Sequence, residues 1–319
     1  MKNKIKLCIG PMSKLVVDAV LDLEKKDREK LAFIPSRRQI EHTGGYVNNW
    51  TTEQFSKYIS NRVIIQRDHG GPGQGSTDDD GMDSYRADGL NFDLIHIDPW
   101  KKYGGYKEGV EHTANAIENL YKLNPNLKFE IGTEESIRRF SEKEFESLIS
   151  DLKTVLNKEH FNAIRYAVVQ SGVGLDLMSM KNTGTFSAER LKSMVKTCKE
   201  NNLLSKEHNG DYLTTSEIKN RFDIGLDAIN IAPEFGQIQT KLYIEHMNQE
   251  ELKQFYNICY NSGKWKKWVN EESIKEEKDI IKVCGHYVFS NPSFKNICPR
   301  LDSEVISKVQ KRIKEIKKI

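Results

Sequence analysis

The chain predicts an α/β fold, a single TIM-type (β/α)₈ barrel with a helical C-terminal extension. Three observations predict it. Short apolar, β-branched runs alternate with polar stretches of helical apolar spacing. There are eight such runs, the number that closes a parallel barrel. The chain has 319 residues, which suits a barrel of about 250 residues with an addition and leaves no room for a second large domain. The barrel is expected over residues 1–246 and the extension over 247–319.

The strand runs are Ile5–Ile9, Leu31–Pro35, Val63–Gln66, Leu94–Ile97, Lys128–Ile131, Ala163–Gln170, Leu204–Glu207 and Ala228–Ile231. Helical spacing falls at Lys14–Lys26, Thr52–Ile59, Val110–Leu120, Glu142–Leu156, Ser187–Asn201 and Thr215–Phe222. Strands alternating with helices imply parallel βαβ units. An open doubly wound sheet is the competing arrangement. The turn after the first run is Gly10-Pro11-Met12-Ser13, which lacks the Gly-rich dinucleotide fingerprint and argues against a Rossmann site. From about Met247 the pattern is helical, then loop-rich from Cys284 to Pro299, then helical again.

Composition excludes several classes. The net charge is +3 with 30% charged residues, so no strong nucleic-acid field is expected. The basic end, Lys308 to Lys318, is interleaved with Val309, Ile313 and Ile316 and reads as one solvated face of a helix. The cysteines are Cys8, Cys198, Cys259, Cys284 and Cys298. The odd count and the lack of CxxC spacing suggest neither a disulfide frame nor a cysteine zinc site. A reducing cytoplasm fits. The apolar run in MKNKIKLCIG is too short for a signal peptide. No stretch approaches the roughly 20 apolar residues of a membrane span.

Barrel chemistry sits at the C-terminal ends of the strands, so the residues there are the candidates. The third run leads into Arg67-Asp68-His69-Gly70-Gly71-Pro72-Gly73. The fourth carries His96 and precedes Asp98. The fifth carries Glu130, with Glu134 just beyond. Gln170 ends the sixth. The seventh ends in Glu207-His208-Asn209-Gly210-Asp211, and the eighth carries Asn230. Glu130 alternates with Phe129 and Ile131, so it points either into the lumen or into the helix layer, and in either place a carboxylate needs a partner. Imidazoles with carboxylates suit a divalent metal, zinc above all, with manganese or cobalt as alternatives. His69 and His208 are the expected ligands, with Glu134 or His96 as the third. Asp68, beside a candidate ligand, is placed to move protons; Glu130 is a second candidate. The glycines from Gly70 and Gly71 onward suggest a backbone nest for phosphate, or a mobile loop with an acidic tip at Asp78-Asp79-Asp80. Gln170, Gly210 and Asn230 complete the candidate substrate contacts.

Six blocks carry a family resemblance. They are Gly44-Gly45-Tyr46, Asp68-His69-Gly70-Gly71-Pro72, His96-Ile97-Asp98, Ile131-Gly132-Thr133-Glu134, Val168-Val169-Gln170-Ser171-Gly172-Val173 and His208-Asn209-Gly210-Asp211-Tyr212. In this order they resemble the non-catalytic, chaperone-like subunit family of tagatose-1,6-bisphosphate aldolase, which is related to the class II ketose-bisphosphate aldolases. Trp265-Lys266-Lys267-Trp268 and the Phe289–Lys295 region are similar too. The resemblance implies a metal-dependent aldolase acting on a ketose phosphate or bisphosphate through an enediolate. It makes Asp68 the acid/base, His69 and His208 ligands, and Asn230 a phosphate contact. Those aldolases place a histidine ligand after the sixth strand, where this chain has Gln170. A ketose 4-epimerase on the same metal site, and a stabilising subunit without catalysis, are the alternatives that the resemblance leaves open. A homo-oligomer or a complex with an aldolase subunit is the partner expectation.

Overall fold

Strand alternation sorts the side chains of eight short strands into two populations. In the computed structural model, which describes residues 5–318, the strands are β1 (Leu7–Ile9), β2 (Leu31–Phe33), β3 (Ile64–Gly70), β4 (Leu94–Ile97), β5 (Lys128–Ile131), β6 (Ile164–Val169), β7 (Leu204–Glu207) and β8 (Ala228–Ile231). All pair in parallel, each with the next, and β8 returns to β1, with Leu7 opposite Ile229 and Ile9 opposite Ile231. The barrel is therefore closed, and the doubly wound alternative is excluded. Leu7, Ile9, Phe33, Ile95, Phe129 and Ile229 belong to the large core shared with the helices, whereas Cys8, Ala32, Leu94, Tyr166 and Ala228 form a separate small cluster in the lumen. A period of two does this. It also places Glu130, in register with His96 and Tyr166, on the lumen face.

β4, β5, β7 and β8 have the bounds expected from sequence. β3 differs: it runs on to Gly70 instead of ending at Gln66. Its register against β4 slips between Arg67 and Gly70, and His69 takes a left-handed φ of 47°. Residues 1–4, where the MKNKIKLCIG run begins, and residue 319 lie outside the described residues. Among the described residues no helix is long and apolar enough to cross a membrane.

The first helix stops at Leu21, and Lys25–Arg28 is a separate turn, not the continuous Lys14–Lys26 helix expected. Arg28 Nη1 binds the carbonyls of Leu21 and Leu23 at 2.6 and 2.8 Å, which satisfies the end of the first helix. Two further helices, Met82–Asn91 and Pro233–His246, have no counterpart in the expected set. Nor is Cys284–Pro299 a loop-rich piece. Glu277–Val288 runs through Cys284, and Pro292–Ile297 is helical behind an Asn291 cap. Pro233 and Pro292 both stand at the start of a helix, where the missing N–H costs nothing.

The last helix, Asp302–Lys317, packs against Lys14–Leu21, Thr215–Ile224 and Pro233–His246. It closes the outer ring of helices. Its buried stripe is Val305, Val309, Ile313 and Ile316; Lys308, Lys311 and Lys314 are exposed, while Arg312 and Lys317 turn back to partners. Arg312 Nε meets Glu234 Oε1 at 2.5 Å and Lys317 Nζ meets Asp27 Oδ1 at 2.6 Å.

Candidate active site

The bulge in β3 builds the mouth. In a regular strand, neighbouring side chains face opposite sides. Here Asp68 and His69 turn the same way, with Asp68 Oδ1 3.8 Å from His69 Nε2. A non-glycine residue at this φ costs on the order of 1 kcal/mol or more, and such strain is concentrated at functional sites. The glycines that follow allow close packing. A Cβ on Gly70 would lie 2.8 Å from the His96 carbonyl oxygen, and one on Gly71 would lie 2.2 Å from the Tyr85 hydroxyl. Gly70 and Gly71 therefore seat β3 against its neighbours. The acidic tip is also tied down, since Arg37 holds both Asp79 oxygens at 2.7 Å and Lys102 holds Asp78 at 3.0 Å.

Three imidazoles converge over the lumen. The ring centroids of His69, His96 and His208 form a near-equilateral triangle with sides of 5.1, 5.1 and 5.0 Å. Each ring has one nitrogen occupied by an acceptor outside the triangle. His69 Nδ1 donates to Asp98 Oδ2 at 2.5 Å. His96 Nε2 donates to the Gly132 carbonyl at 2.9 Å. His208 Nε2 donates to Glu130 Oε1 at 2.7 Å. These partners leave His69 Nε2, His96 Nδ1 and His208 Nδ1 facing the triangle, where His96 Nδ1 also accepts from the His69 backbone N–H at 3.3 Å. One ligand nitrogen from each ring lies within 4.8 Å of the others. Such a set could hold a metal ion, with a hydrogen-bonded acceptor behind every imidazole. Asn230 adds a buried Oδ1 that has no hydrogen-bond partner, while its Nδ2 donates to Asp68 Oδ1 at 3.2 Å.

Electrostatics favour positive charge here. Burial opposes protonation of His69, but Asp68, Asp98 and Glu134 outweigh it and hold the pKa well above the usual histidine value. The same carboxylates favour a divalent cation. His96 goes the other way, lowered by its burial against the pull of Glu130 and Asp98. Glu130 stays ionised: burial would raise its pKa, but Lys206 and the imidazoles of His96 and His208 lower it more.

Of the expected site residues, Asp68, His69, His96, Glu130, His208 and Asn230 are brought together. Glu130 lies beneath the triangle with both oxygens engaged, Oε1 by His208 and Oε2 by Lys206 Nζ at 2.5 Å. Glu134 sits at the rim, where Oε2 accepts from Asn209 at 2.7 Å and lies 3.5 Å from His69 Nε2. Gln170 is spent on the loop after β5. Its Nε2 donates to the carbonyls of Thr133 and Arg138 at 2.8 and 2.7 Å, and its Oε1 accepts from Phe140 N at 2.9 Å. The Gly210 N–H is spent on the Asn230 carbonyl at 2.8 Å.

Sequence reasoning missed Lys206 and Thr133. Thr133 Oγ1 donates to Asp98 Oδ2 at 3.0 Å, helping to hold the carboxylate that orients His69. Lys206 is two positions from His208 and so shares its face, a parity that could have revealed it. Glu207, named with His208 from sequence, faces the helix layer and pairs with Arg221 at 2.9 Å.

No family model matches the chain, and no curated protein matches it in sequence. Solved structures do match its fold. A probable tagatose 6 phosphate kinase from Sinorhizobium meliloti 1021 aligns with a TM-score of 0.76 at 14% identity, over 96% of this chain and 87% of that one. The YdjI aldolase from Escherichia coli K12 aligns at 0.59 and 12%, over 98% and 91%. The fructuronate-tagaturonate epimerase UxaE from Cohnella laeviribosi aligns at 0.55 and 11%, over 99% and 79%. At these identities the likeness is one of fold.

Proposed function

We propose that the chain is a metal-dependent lyase of the aldolase type, acting in carbohydrate metabolism on a ketose phosphate or bisphosphate. The observation that carries this reading is the triangle of imidazoles with a carboxylate, Asp68, at its edge, 3.5 Å from His208 Nδ1. His69, His96 and His208 would hold a divalent cation. Their neutral nitrogens suit zinc, with manganese or cobalt also served by such donors. When bound, the cation supplies a Lewis acid that polarises the substrate carbonyl and stabilises an enediolate.

The chain's own residues do the rest. Asp98, the Gly132 carbonyl and Glu130 orient the three imidazoles. Lys206 keeps Glu130 charged. Asn230 Nδ2 steadies Asp68, and its free Oδ1 is an acceptor for a substrate hydroxyl. Asp68 is the proton carrier at the substrate oxygen whose bond changes. Glu130 has no free oxygen for that task, so in this reading it is a positioning residue.

A second reading has specific support. The fold is shared with a sugar-acid epimerase as well as with an aldolase, and epimerisation would use the same cation and proton carrier without carbon–carbon cleavage. A stabilising subunit, the third possibility, gives no reason for Asp68 and three oriented imidazoles to converge. The chain would work in the cytoplasm, as a homo-oligomer or beside an aldolase subunit. The test begins with metal analysis of the purified protein. Incubation with a panel of ketose phosphates and bisphosphates follows, scoring triose release against formation of a new ketose. Triose supports the lyase, and a new ketose supports the epimerase. Neither product, in a protein without metal, overturns both.

A further inference from the structure

One side of the mouth carries three cations that form no ion pair among the described residues. Arg38 leaves the turn after β2, and its Nε donates to the Gly75 carbonyl at 3.2 Å. Lys101 follows β4, and its Nζ donates to the Gly73 carbonyl at 2.7 Å. The two cations thus grip one short loop at carbonyls two residues apart. That loop is fixed to the imidazole triangle through Gln74, whose Nε2 donates to the Asp98 carbonyl at 3.1 Å. A third cation arrives from the distal end of the chain. Lys267 closes the short 3₁₀ turn Lys264–Lys267, anchored by the buried Trp265, whose indole N–H donates to the Tyr260 carbonyl at 3.1 Å. Arg38 and Lys267 both line a cleft of about 760 Å³, shared with Tyr46, Ser76, Lys264 and Tyr287.

Neighbouring charges show what is unusual. Arg37 is paired with Glu41 and Asp79, and Lys102 with Asp78. Glu41, Asp78 and Asp79 are thereby engaged, while Asp80 and Asp83 line the same cleft. Arg38, Lys101 and Lys267 have no ion-pair partner among the described residues. They also repel one another. Crowding by the cleft walls and the charges of Arg38 and Lys101 bring Lys267 down to about 8, against the pull of Glu134 and Asp68. Burial and Arg38 lower Lys101 as well. A dianion among the three cations would relieve that repulsion, and charge-assisted hydrogen bonds to an oxyanion are the strong ones.

We propose that Arg38, Lys101 and Lys267 form the subsite for the substrate's phosphoryl group, on the β2 and β4 side of the mouth, away from Gly210 and Asn230. The assignment rests on the mouth being a sugar-processing site, and it replaces the glycine run as the anion-binding element. Three cations match a doubly charged phosphoryl group better than the single charge of a sugar acid.

The probe is inorganic phosphate, titrated calorimetrically into the full chain, with D-glucuronate as the second arm. Turnover is not required, so the result does not depend on whether the aldolase or epimerase reading holds. Wild type should bind phosphate. Arg38→Met and Lys267→Met should each weaken it by about 10- to 100-fold, the worth of one hydrogen bond to a charged group. Lys267→Arg should retain it. Melting curves accompany each variant; if Arg38→Met does not fold, the solvent-accessible Lys267→Met decides alone. Absence of phosphate binding, or equal affinity in wild type and variants, overturns the subsite. Glucuronate bound more tightly than phosphate, and lost in the same variants, overturns the phosphoryl assignment in favour of a carboxylate.

Discussion

Lys206 and Glu130 form an ion pair inside the barrel, with Nζ 2.5 Å from Oε2 and both side chains sealed from solvent. Gln66 Oε1 accepts a second bond from the ammonium at 2.7 Å. Burial opposes the charge on Lys206, but Glu130 outweighs it and raises the pKa above the ordinary lysine value. Removing one partner of a buried pair strands the other. Lys206→Met should therefore cost about 3–5 kcal/mol of stability, as breaking such pairs does. Adding Glu130→Gln should recover part of that loss, because the stranded charge is gone. Urea denaturation of the two single variants and the double variant checks the coupling. Purely additive losses would mean that the pair does not act as a unit.

The third metal ligand separates two residues. His96 Nδ1 faces the triangle, whereas Glu134 is bound to Ser136 and Asn209 at the rim. His96→Ala and His208→Ala should each abolish divalent-metal binding, and Glu134→Gln should leave it close to wild type. Elemental analysis after dialysis against the metal reads all three. Retention in His96→Ala with loss in Glu134→Gln would exchange their roles.

Gln170 should behave as a brace. Its side chain ties the loop after β5 to β6, with Arg190 Nη2 also on its Oε1 at 3.1 Å. Gln170→Leu strands buried backbone partners and should cost about 1–3 kcal/mol in chemical denaturation. KM for any substrate found should change little where the variant is folded. A large rise in KM at unchanged stability would return Gln170 to the substrate contacts.

The anion subsite implies a pH dependence. A lysine whose pKa is lowered loses its charge earlier on the alkaline side, and Lys267 stands at about 8. Arg38 and Lys101 lower it, Glu134 and Asp68 raise it, and the Trp268 ring lies 4.4 Å from its Nζ. Phosphate affinity should therefore rise through neutral pH as phosphate becomes dianionic and fall above about pH 8 as Lys267 loses its charge. Lys267→Arg should flatten the fall, since arginine keeps its charge. Calorimetric titrations from neutral to alkaline pH measure both.

What was legible in the sequence follows from what is local. Ile95, Phe129 and Ile229 mark strands because they alternate with lumen-facing neighbours, and that pattern needs no tertiary context. Asp68, His69, His96 and His208 stood out because barrel chemistry collects at strand ends. Other features depend on partners. The stretch from Cys284 to Pro299 reads as loop-rich, yet Pro292 begins a helix. Gln170 and Glu130 are polar residues at strand ends, as a substrate contact would be; the carbonyls around Gln170 and the ammonium beside Glu130 come from distant parts of the chain. Lys267 belongs to the mouth because a helical extension folds back over it, a contact that no local spacing encodes.

In the proposed reaction the chemistry turns on Asp68. Its carboxylate is partly open at the mouth, 3.2 Å from Asn230 Nδ2 and 3.5 Å from His208 Nδ1, and neither neighbour closes it off from a substrate oxygen. Asp68→Asn keeps the shape and removes the proton-transfer function. The variant should fold and retain metal, while kcat falls by about 10²–10⁴-fold, the usual worth of a positioned acid or base. A structural role predicts otherwise. The Asp68 backbone N–H already donates to the Pro35 carbonyl at 3.0 Å, so a side chain needed only to brace the bulge would be served by asparagine, and turnover would survive. A pH profile adds a second discriminant: an acid/base aspartate gives a limb in kcat/KM that disappears in Asp68→Asn, which a brace does not. Near-normal kcat with the limb intact would move the proton carrier to another group at the mouth, with Glu134, 3.5 Å from His69 Nε2 against 3.8 Å for Asp68, the next candidate.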